Sequence, residues 1–166
     1  MPLRHRIESH PETVQDLELA CGEKLWEGLE LLLAGHRGAG IYLLGYAAEM
    51  VLKNACFRID RARPTDDVNS RLRPIREWAR QHGIRIDPEK YHSLLFWCHV
   101  LRAKRRWARR PLSAGIDQPL VQWARRIYGI WKVDMRYQPD QALQSEAESV
   151  YNDVTWIYDH RLQLVV

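Results

Sequence analysis

Cysteine, long apolar runs and the glycine signatures of phosphate loops are what this chain has least of. Three cysteines, Cys21, Cys56 and Cys98, are scattered through 166 residues. So odd and sparse a set argues against a disulfide framework and for a reducing compartment, the cytoplasm. No Cys-x-x-Cys or His-x-x-x-His pair occurs, so no structural zinc is expected, nor any other metal or cofactor. No apolar run approaches the ~20 residues that span a bilayer, and no membrane partner is expected. The opening Met1-Pro2-Leu3-Arg4-His5-Arg6 is followed by no hydrophobic stretch, so no secretory leader is expected. Gly-x-x-x-x-Gly-Lys and Gly-x-Ser-x-Gly are also missing, which removes the commonest phosphate-loop and hydrolase-elbow readings.

The 46% hydrophobic content suffices for one sizeable core. The formal charge is +4, and its placement says more than its size. Residues 101–126 hold Arg102, Lys104, Arg105, Arg106, Arg109, Arg110, Arg125 and Arg126 against Asp117 alone. That is a local excess of +7, leaving −3 for the rest. Such concentration has two readings: a polyanion-facing surface with Arg102, Lys104, Arg105, Arg106, Arg109 and Arg110 as phosphate contacts, or a solvated helix face.

Helical periods dominate. Ser9-His10-Pro11-Glu12 reads as a capping box. Val14, Leu17, Cys21, Leu25, Leu29 and Leu32 then predict a helix over 10–34. Residues 39–57 are apolar nearly all round, the mark of a central buried helix. Its exceptions, Glu49 and Lys53, share one face and need partners when buried. Residues 58–74 read as a long loop, and 75–82 as a short helix. Asp87-Pro88 opens the next helix, with His92 and His99 seven apart on one face, and Asp117 and Pro119 start a fifth. A break at 134–139 precedes a last helix capped by Asp140. Gly35-His36-Arg37-Gly38-Ala39-Gly40 opens a helix, so its amides could hold an anion; the alternative is a tight helix–helix turn. No strand or repeat is evident, and an all-α bundle of four long helices plus short ones follows.

Two stretches carry a family resemblance. Ala39-Gly40-Ile41-Tyr42-Leu43-Leu44-Gly45-Tyr46-Ala47-Ala48-Glu49-Met50-Val51-Leu52-Lys53 resembles the second helix of HEPN domains (higher eukaryotes and prokaryotes nucleotide-binding), with their "YLxGYAxExxLK" type of pattern. Trp131-Lys132-Val133-Asp134-Met135-Arg136-Tyr137-Gln138-Pro139 resembles the family's "RYP" segment. The resemblance implies a four-helix up-down bundle over 9–166 behind a tail of residues 1–8. It implies a homodimer that binds RNA or a nucleotide, or a nucleotidyltransferase or antitoxin partner, in prokaryotic defence or toxin–antitoxin systems. Many members are metal-independent endoribonucleases with an Arg followed after four to six residues by a His. After Arg136 that His is missing.

Arg76…His82, Arg85…His92 and Arg4…His10 fit the spacing, but about that many matches arise by chance. No catalytic residue is assigned, and Glu49, Lys53, Arg136 and Tyr137 stand as a candidate polar site between the second and last long helices. Their alternative is an ion-pair network that fixes packing. The reading that follows is a non-catalytic binding module. An endoribonuclease with an atypical residue set and a purely structural interaction module are the alternatives.

Overall fold

The structure, a computed structural model, describes residues 12–85, 92–137 and 139–165, without the side chains of Arg136 and Tyr137. Among those residues the regular elements are all helices, with one isolated backbone bridge between Thr13 and Asp67. The helices are α1 (Val14–Leu33), α2 (Arg37–Ile59), α3 (Val68–Gln81), α4 (Leu94–Trp107), α5 (Ala114–Ile130), α6 (Gln144–Asp159) and α7 (Arg161–Val165). A 3-10 turn, Val133–Tyr137, leads into α6. None of these helices is long and apolar enough to cross a membrane.

The apolar periodicity of α2 fulfils its expectation. This helix buries residues on every side, from Ile41 and Leu44 to Val51, Leu52 and Phe57, and packs against α1, α4, α6 and α7. Small residues permit the close crossings. A Cβ on Gly40 would lie 2.4 Å from the Leu32 Cδ2 of α1. One on Gly45 would lie 2.2 Å from the Trp131 ring, which docks there and donates its indole N–H to the Tyr42 carbonyl at 3.0 Å. α5 closes the bundle against α4 and α6.

Several boundaries differ from the sequence reading. α1 is capped by Thr13, whose hydroxyl accepts from the Asp16 amide at 3.1 Å while Asp16 accepts from the Thr13 amide. Ser9, His10 and Pro11 lie outside the described residues, as does the Asp87-Pro88 opening. α4 begins instead after Ser93, whose hydroxyl accepts from the Phe96 amide. His92 therefore precedes the helix and shares no helix face with His99. The loop expected over 58–74 is shorter, because α3 already starts at Val68 with Asp67 as its cap. Pro74 lies inside α3, at the price of the one backbone bond it cannot donate. α5 starts at Ala114, so Asp117 falls in its first turn rather than before it.

Candidate functional site

Two charged regions stand out, and they are built differently. The first is on α2. Glu49 is only 1% exposed, surrounded by the apolar faces of the central helix. A lone carboxylate there is costly, and two neighbours offset it. Lys53, one turn on, pairs with Oε1. His92 places Nδ1 3.3 Å from Oε2. The Lys53 ammonium also lies 5.6 Å from the centre of the buried Trp97 ring. Tyr46 packs edge-on against His92, Tyr42 and Trp131, with ring centres 4.9–5.5 Å apart.

His92 is the member that sequence reasoning missed. In the sequence it stands out as a partner of His99 and as one of three chance-level Arg…His spacings, and not as a partner of Glu49, since that contact spans 43 residues. His92 lines a cavity of about 320 Å³ together with Ser93, Tyr128, Trp131, Lys132, Val133 and Asp134. A larger cavity of about 710 Å³ adjoins it at Lys132 and Asp134 and runs to the N-terminus of α2. The Arg136 and Tyr137 side chains lie outside the described residues, so of the four candidate polar residues the structure joins Glu49 and Lys53.

Of the two readings of the glycine-rich stretch, the structure shows the tight helix–helix turn, between α1 and α2, and its Gly38 amide is taken by a carboxylate of the chain itself. The Gly38 amide donates to Asp140 Oδ2 at 2.9 Å, and the Ala142 amide to Oδ1 at 3.1 Å. Asp140 thus caps α2 rather than α6. Leu143 precedes α6, and its amide donates to Glu146 instead. The Gly38 and Ala142 amides, helped by Arg37 and His36, hold the Asp140 carboxyl below the usual carboxylate range.

The second region is the basic stretch. The helix period of α4 divides it. Lys104 and Arg105 continue the buried face of Leu94, Trp97, Cys98 and Leu101 and are 5–6% exposed. Lys104 reaches both oxygens of Asp60 at 2.7 Å and lies 4.4 Å over the Trp78 ring. Arg102 makes a two-pronged bond to Asp117, at 2.6 and 2.7 Å. Of the six expected phosphate contacts, Arg106, Arg109 and Arg110 are exposed.

Between α4 and α5 a groove of about 620 Å³ opens, lined by Arg102, Gln118, Val121, Gln122, Arg125 and Arg126. Arg125, Gln118 and Gln122 are exposed. Arg126 is held by Asp153, with its guanidinium 4.5 Å over the Trp123 ring. Asp117, which holds Arg102, also lies 3.7 Å from Arg106. His99 lies on α4 three residues before Arg102, and desolvation, reinforced by Arg102 and Arg125, holds its imidazole below the usual histidine value. The Arg102 hydrogen bonds in turn hold the Asp117 carboxyl low. The sequence showed these cations as a run; the helix pairing turns part of the run, with Arg125 from the next helix, into a groove.

The buried thiols offer no reactive group. Burial pushes Cys21 up to about 11 and Cys98 up to about 12, and raises Cys56 as well. Among the described residues no set of three His, Cys, Asp or Glu side chains is gathered to hold a metal ion. Compared with known proteins, the chain matches no protein-family model, no curated protein and no solved structure.

Proposed function

We propose that this chain is a HEPN-like helical module that binds RNA through the cationic groove between α4 and α5 without cleaving it. The observation that carries the reading is the groove. Its walls carry Arg102, Arg125 and Arg126 with Gln118 and Gln122 between them. Arg102 and Arg126 are already forked to Asp117 and Asp153, and Arg125 is left exposed, as is Arg106 nearby on α4. Exposed guanidinium groups spread over an open surface suit the repeated phosphates of a nucleic acid better than a single small anion. The up-down bundle and the family motif on α2 belong to the same proposal, supported by the all-helical architecture and the central position of α2.

A homodimer is part of the reading. Leu19, Trp26 and Leu33 are 61–80% exposed and recur every seven residues along the outer face of α1. A two-fold contact with a second copy would cover this stripe. Glu23 and Glu30 share that face, so the dimer should tighten as salt screens them. A 20 kDa monomer at every salt concentration in light scattering would remove the dimer from the proposal.

The groove reading is tested by the salt dependence of RNA affinity. Counterion release makes log affinity fall linearly with log salt, by about 0.7 per phosphate neutralised on a single strand. Replacing Arg106, Arg109, Arg110 and Arg125 together by Ser should flatten that slope and leave the fold intact, because all four are exposed. Arg105 is kept, since it is buried. An unchanged slope would move the assignment to an interaction module.

One observation favours a second reading. A buried carboxylate behind an imidazole, with a cavity in front, is an arrangement suited to proton transfer. Glu49, His92 and the 320 Å³ cavity have that form. An endoribonuclease built on it would cleave RNA in chelator and lose that activity in His92→Ala but keep it in Arg106→Ser. The proposal expects no cleavage by the native chain, and none that depends on Arg136.

A further inference from the structure

The C-terminal end of α4 carries a side chain that electrostatics does not explain. Lys104, Arg105 and Arg106 occupy its last turn, where cations offset the partial negative charge of the helix end. Trp107, the final residue of the helix, is different: its side chain is 71% exposed. An indole left in water forgoes a large burial gain, while two other tryptophans, Trp97 and Trp131, are about 1% exposed.

The setting of Trp107 is an aromatic layer framed by cations. Trp78 and His82 of the neighbouring α3 end stack in parallel, with ring centres 4.1 Å apart. His82 in turn meets Trp107 edge-on at 6.5 Å. Lys104 fixes the layer from beneath by sitting over Trp78. Beyond Trp107 the chain turns back sharply. Arg109 adopts the left-handed conformation, φ +58°, and the Arg109 and Arg110 amides bond to the Arg106 and Arg105 carbonyls. This turn keeps Arg109 and Arg110, both exposed, within three residues of the indole. Arg106, at the same helix end, lies 3.7 Å from Asp117, the partner of the groove residue Arg102.

We infer that Trp107 is a stacking platform for an unpaired base, and that the RNA recognised by this surface is single-stranded. The inference rests on the groove reading and deepens it. Phosphates bind guanidinium groups whether the strand is paired or not, whereas an exposed indole gains only from a base whose face is free. A duplex keeps its bases stacked on one another and offers Trp107 no such face. The Trp78–His82 stack holds the aromatic layer in place, and Arg106, Arg109 and Arg110 take the flanking phosphates.

The test compares a labelled 12-nucleotide oligouridine with a 12-base-pair RNA duplex, by fluorescence anisotropy at low salt. Three variants serve: Trp107→Ala, Trp107→Phe and the four-arginine variant above. Base stacking on an aromatic side chain is of a size that predicts about a tenfold loss of single-strand affinity in Trp107→Ala. Trp107→Phe should recover most of it, and duplex affinity should stay unchanged in both. Circular dichroism checks that the variants fold, as an exposed position allows. Unchanged single-strand binding in Trp107→Ala, or an equal loss on the duplex, overturns the platform. If the arginine variant loses binding while Trp107→Ala does not, the groove stands and the platform falls. If the native chain binds neither RNA, both fall.

Discussion

Glu49 with its partners and the α4/α5 groove are both polar clusters, yet they solve opposite problems. Around Glu49 a single buried carboxylate pairs with the Lys53 ammonium and meets the His92 ring, so its charge is consumed inside the fold. In the groove the cations outnumber the carboxylates, with Asp117 and Asp153 holding Arg102 and Arg126 while Arg125 stays exposed on the wall. Net charge left over and facing water is what an external polyanion can use. Charge matched and buried mainly fixes how helices pack. The same difference runs through α4 itself: Lys104 is buried on Asp60, and Arg106, half a turn away, is 61% exposed at its side chain.

The sharpest way to break this comparison is one chemical change made in both regions. Lys53→Met strips a buried carboxylate of its nearest cation and should cost about 3–5 kcal/mol of stability in a denaturant titration. Arg106→Met should stay within about 0.5 kcal/mol of the native chain, as exposed positions usually do. Adding Glu49→Leu to Lys53→Met should recover much of the loss, since an apolar pair then replaces an unpaired charge. Equal losses at Lys53 and Arg106 would erase the distinction drawn between the regions.

Next in size is Gly45→Ala. Its new Cβ would fall 2.2 Å from the Trp131 ring and push the indole off the Tyr42 carbonyl. Overpacking of this kind costs about 1–3 kcal/mol. RNA affinity of the folded variant should not change, because Trp131 lines no part of the groove. A thermal melt paired with a binding isotherm separates the two effects.

The helical class and the central place of α2 were legible because they depend on local period alone. The groove was half legible. The positive run was plain, but its division into buried and open members follows from the helix period: Lys104 and Arg105 extend the apolar face of Trp97, Cys98 and Leu101, a signal that could have been used. Other features were hidden because they join distant segments. Asp140 reads locally as the cap of the helix that follows it, and it caps α2 across 102 residues. His92 meets Glu49 only through the packing of α4 on α2. Pro74 reads as the end of the loop before the short helix, yet the Asp67 cap sets the start of α3 about two turns earlier.

The smallest expected effect concerns pH. His99 is held below its usual value by desolvation and by Arg102 and Arg125. The unfolded chain therefore binds the proton more readily, and stability falls as pH drops through about 6.5. Phosphates in the groove favour the imidazolium instead, so RNA affinity should rise over the same interval. One pKa unit corresponds to about tenfold, which bounds the gain from a shift of that size. His99→Gln should flatten both trends, read from melts and anisotropy between pH 8 and 5.5.

The central claim is that RNA meets this protein at α4 and α5 and not at the Glu49–His92 cluster. Photo-crosslinking with thiouridine-substituted single-stranded RNA, followed by peptide mapping, asks this directly. The account predicts adducts within residues 99–126, lost in the four-arginine variant and kept in His92→Ala. Adducts confined to residues 36–53 and 131–142, around the cavities beside His92, would contradict it.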